Sequence, residues 1–95
     1  MAQSAIKKRF NKYHARTFQN LTENYKTVHV ESKSSPFHFH VIDELGIKYI
    51  RVELNDLSSE MKRKIEEYRK SFPSGTVCEV RIFHKYKRFP ERITI

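Results

Sequence analysis

Residues 34–56, SSPFHFHVIDELGIKYIRVELND, set ionisable groups at every second position of an apolar run. Phe37, Phe39 and Val41 alternate with His38 and His40, then Ile50, Val52 and Leu54 alternate with Tyr49, Arg51 and Glu53. Side chains two apart on a strand project the same way. In a preceding apolar stretch, KTVHVES, His29 and Glu31 hold the polar positions. Imidazoles and a carboxylate bind a divalent metal when they converge on one point. His29, His38, His40 and Glu53 are therefore the candidate ligands. No Cys pair and no His-Glu-x-x-His spacing accompanies them, so the expectation is no metal and no other cofactor, with these histidines half-exposed on a sheet face.

A second chemistry is carried by cations. Lys7, Lys8, Arg9, Lys12 and Arg16 precede the first acid, Glu23. Near the other end Lys85, Lys87, Arg88 and Arg92 are interleaved with Tyr86 and Phe89. Clustered cations hold phosphates, and aromatic rings between them stack on unpaired bases. Tyr49 and Arg51, on the polar side of their strand, add candidate base contacts. Residues 62–70 are also basic, but Glu60, Glu66 and Glu67 offset them, as on an ordinary solvated helix face. Gly-rich phosphate loops, nucleophile elbows and Cys-His pairs do not occur.

The 95-residue chain carries a net charge of +8, which favours anionic partners without naming one. Its length predicts one domain, residues 1–95, with a core over 5–84 and a basic C-terminal segment, 85–95. Cys78, a lone cysteine in an apolar run, reads as a core residue in a reducing compartment. No apolar run approaches the length that spans a bilayer, and a soluble, cytoplasmic protein without membrane association is expected.

The elements that must position these groups follow from periodicity. Residues 5–21 read as a helix with Ile6, Phe10, Tyr13, Thr17 and Leu21 on one arc and the cations opposite. Residues 26–32 read as a strand, and the opening stretch as a hairpin turning at Asp43–Gly46. The register that keeps its apolar set on one face sets His38 opposite Arg51, Phe39 opposite Ile50 and His40 opposite Tyr49. Residues 56–72 predict a second helix, with Leu57, Met61, Ile65, Tyr68 and Phe72 as its stripe and Asp56 or Ser58 as its cap. Residues 76–83 predict a strand with Cys78, Val80 and Ile82 inward, and Ile93–Ile95 a short last one. The fold class is α+β, in the order α-β-β-β-α-β(-β), a mixed sheet packed against helices with the second helix as a crossover.

This order, with SSPFHF and YIRVELND in strands two and three, resembles the core of the restriction-endonuclease-like PD-(D/E)XK nucleases, which include Holliday-junction resolvases. The resemblance implies a metal-dependent nuclease using His38, Arg51 and Glu53. However, His38 stands where that family has a metal-binding Asp, and the Glu-x-Lys of strand three is not kept. It therefore points to an inactivated relative that keeps a basic binding surface. The order of the first five elements is also similar to that of the double-stranded-RNA-binding domain. The expectation is a small, non-catalytic nucleic-acid-binding protein, DNA and RNA undecided. Alternatives are a protein-interaction module, either a homodimer or a subunit docking an acidic protein, and a metal-dependent nuclease.

Overall fold

The structure, a computed structural model, describes residues 4–95. The first helix, α1, spans Ala5–Asn24. Ser4 opens it, its Oγ accepting the Lys7 N–H at 3.1 Å. Phe10, Tyr13 and Leu21 of the expected arc pack against the sheet, whereas Ile6, in the first turn, stays 75% exposed.

Three strands follow: β1 (Thr27–Val30), β2 (Phe39–Asp43) and β3 (Gly46–Leu54). The hairpin has the expected register, with Phe39 paired to Ile50 and His40 to Tyr49. Its turn is held by the Asp43 carboxylate, which accepts the Leu45 and Gly46 N–H groups. Gly46, at φ +130°, supplies a conformation that side chains disfavour.

The second helix, α2, spans Ser59–Lys70. It starts later than its periodicity suggests because Asn55 adopts φ 67° and breaks the chain direction after β3. Ser58 is the cap, its Oγ accepting the Met61 N–H at 3.1 Å. Replacing it (Ser58→Ala) should cost about 1 kcal/mol in urea unfolding, with an unchanged denaturant slope.

Strand β4 (Val77–Phe83) runs parallel to β3, as the α2 crossover requires, and β5 (Glu91–Thr94) returns antiparallel to it. The sheet order is β1-β2-β3-β4-β5. Residues 84–90 thus link two paired strands.

Each face of the sheet carries one helix. Leu21, Phe39, Val41, Ile50, Val52 and Phe83 form the core beneath α1; Phe37, Ile65, Cys78, Val80 and Ile82 form the core beneath α2. The parallel register decides this division. It sets Ile50 beside Glu79 and Tyr49 beside Cys78, so Cys78, Val80 and Ile82 of β4 share a face with Tyr49, Arg51 and Glu53. The polar side of the hairpin is therefore roofed at β3 by α2. Conversely, Glu79 and Arg81 point to the α1 face and are buried there, 4% and 3% exposed.

His38 corrects the expected register at one point. Its N–H donates to Ile50 O at 2.9 Å, while Phe39 is the residue paired with Ile50. Two residues thus oppose one, and this bulge re-aims the side chain. The His38 ring lies on the α1 side, 5.2 Å from Phe10 and 5.9 Å from His14 between centroids. Its Nδ1 accepts the Val52 N–H at 2.9 Å, filling a gap in the ladder.

Candidate functional site

The cations of α1 are arranged around one aromatic ring. Arg9, Lys12 and Arg16 recur at helical spacing, and their charged groups lie 5.9, 5.7 and 5.2 Å from the centre of Tyr13. Tyr13 stacks on Phe83 at the end of β4, with centroids 4.4 Å apart and planes at 20°. This stack fixes the cationic row beside the β4–β5 connection. Arg9 is anchored further by donating to Asn55 Oδ1 at 3.0 Å.

Arg16 meets the connection across a cleft of about 330 Å³, lined also by Asn20, Arg81, Arg88, Phe89 and Arg92. A second hollow of about 400 Å³ shares Asn20, Arg81 and Arg92 and extends to Asn24 and Tyr25. Together they form a groove between the second half of α1 and the β4–β5 edge. Arg81 is its built-in element. Its Nε donates to Glu79 Oε1 at 2.6 Å and its Nη1 to Asn20 Oδ1 at 2.8 Å. Lys48 Nζ reaches the other Glu79 oxygen at 3.0 Å. Burial alone would raise the Glu79 pKa; the Arg81 hydrogen bond and charge, with Lys48, outweigh it and hold the carboxyl below its usual range. Two cations around one carboxylate leave a net positive charge under the groove.

Comparison of the chain with protein-family models, curated proteins and solved structures gives no match.

The groove joins Arg16 to Arg88 and Phe89, as one binding surface requires. Lys85 and Arg88 lie 5.2 and 5.5 Å from the rings of Tyr86 and Phe89 on the same connection, and Lys87 is exposed there. Lys7 and Lys8 are exposed on the first turns of α1, outside the groove lining. Tyr49 and Arg51 lie on the opposite face of the sheet. Tyr49 stacks on Phe72 at 4.5 Å. The Arg51 Nε donates to Glu53 Oε1 at 2.5 Å and its Nη1 to Pro36 O at 3.0 Å. Both are half-buried and occupied by internal contacts.

The candidate metal ligands are divided in the same way. His29 and His40 stack with centroids 4.4 Å apart on the α2 side, and His40 Nδ1 lies 2.6 Å from Glu31 Oε1. His38 faces α1, and Glu53 is paired with Arg51. Among the described residues no three His, Cys, Asp or Glu side chains are grouped to hold a metal ion. The bulge also separates His38 from Arg51 and Glu53, the three residues a nuclease mechanism would unite. Burial pushes the Cys78 thiol up, away from the reactive range. No helix among the described residues is long and apolar enough to cross a membrane.

Sequence reasoning passed over Asn20, Lys48, Glu79 and Arg81. The signal was available in VCEVRIF, where Glu79 and Arg81 occupy alternate positions of a strand whose other positions are apolar.

Proposed function

We propose that the protein binds nucleic acid non-catalytically, holding the phosphate backbone in the groove between α1 and the β4–β5 connection. One observation carries this reading: cations far apart in sequence, Arg16 on one side and Arg88 and Arg92 on the other, line a single cleft. Among the described residues these three arginines make no ion pair, whereas nearby Glu79 is taken by Arg81 and Lys48, and Glu91, paired with Ile82 of the α2-side core, lies within hydrogen-bond distance of His84. Unneutralised guanidiniums around a concave surface attract and orient phosphates. The lining supplies guanidiniums, an amide and aromatic rings, groups that bind and stack.

Binding of a fluorescent oligonucleotide, followed by anisotropy across a salt series, tests the proposal. With about four phosphates neutralised, affinity should fall by about a hundredfold between about 50 and about 300 mM salt. Affinity that does not change over this range, or no binding at low salt, would refute it.

A further inference from the structure

We infer that the groove takes single-stranded nucleic acid, with unpaired bases lying on Phe89 and Tyr86 while Arg16, Arg88 and Arg92 hold the adjoining phosphates. This rests on the nucleic-acid reading and narrows its substrate. The two rings are exposed on the β4–β5 connection, Tyr86 at 93% and Phe89 at 75%. Phe89 lines the cationic cleft itself, so an apolar platform and phosphate ligands share one concavity. A surface that only tracks a duplex backbone needs cations alone; unpaired bases need a ring on which to stack.

Backbone geometry gives a second, independent indication. Tyr86 has φ +66° in a turn closed by the Lys87 N–H donating to His84 O at 3.2 Å. Glycine or asparagine takes this conformation readily, and tyrosine does so at a cost. The ring is nearly fully exposed, so packing does not account for the residue. Strain retained at an exposed aromatic points to a use outside the fold.

The Tyr86→Gly variant separates the two roles. It relieves the backbone and removes the ring, so its melting temperature should equal or exceed that of the parent. Its affinity for oligothymidylate or oligouridylate should fall by about fivefold or more, the lower end of a lost stacking contact. Phe89→Leu, which keeps apolar bulk, should weaken the same probes similarly. Both variants should lose more affinity for the single strand than for a duplex, and the parent should prefer the single strand by about tenfold or more. Duplex bound as tightly as the single strand, or both variants binding like the parent, overturns this inference while salt-dependent binding sustains the broader reading. No binding of either form overturns both.

Discussion

Reversing two charges of the groove, Arg16→Glu with Arg88→Glu, should lower oligonucleotide affinity by about a thousandfold at low salt. Each reversal removes a charge-assisted contact and adds a like charge beside the backbone. Loss of two phosphate contacts should also flatten the slope of log affinity against log salt by about 1.5. Both residues are exposed and make no ion pair within the described fold; each loses one cation–ring contact, so unfolding free energy should fall by no more than about 2 kcal/mol. The decisive control carries the same change in net charge on α2, as Lys62→Glu with Arg63→Glu. These exposed residues lie across the sheet from the groove, and their reversal should weaken binding by about tenfold or less. Equal losses from the two double variants would mean that net charge, not the groove, does the binding.

Acidification is expected to cost stability through one buried imidazole. His38 is 1% exposed, and its Nδ1 serves as acceptor for the Val52 N–H, a role that requires the neutral ring. Burial first, then the charges of Arg51, His14 and Lys33, lower its pKa to about 4, against one opposing hydrogen bond with the Lys33 backbone. The unfolded chain titrates near 6.5, so below that pH it binds a proton that the folded protein excludes. Stability is therefore complete above about pH 6.5, declines as pH falls, and levels off below about pH 4. The difference amounts to roughly 3 kcal/mol. His14 is also lowered, by burial and by the charge of Lys33, and adds to the decline in the same sense. Urea unfolding at a series of pH values measures the effect. His38→Asn retains an acceptor near the Val52 N–H, loses stability at neutral pH through the smaller side chain, and should lose most of the pH dependence. A variant whose profile parallels the parent's would assign the acid sensitivity elsewhere. Carboxylates such as Glu79, whose pKa is held low, give their own loss at more acidic pH.

Much of the local structure could be read from the chain. The arc of α1, the Ser58 cap, the hairpin register and the burial of Cys78 follow from period, capping chemistry and the demand that one face be apolar. These are decided by residues close in sequence. His38 escaped because the alternation FHFH looks the same with or without a bulge one residue earlier; only the unpaired Val52 N–H shows where the ring must go.

Alternation within a strand also states which side chains share a face, but not which face that is when both sides of a sheet are covered. The parallel pairing of β3 with β4 settled this, placing Tyr49 and Arg51 under α2 and Glu79 and Arg81 under α1. The sequence by itself determined that cations gather in two stretches and that rings accompany the second. Tertiary structure alone decided that Arg16 faces Arg88 and Arg92, because β5 must pair with β4 to satisfy its backbone and the connection is thereby carried to the flank of α1.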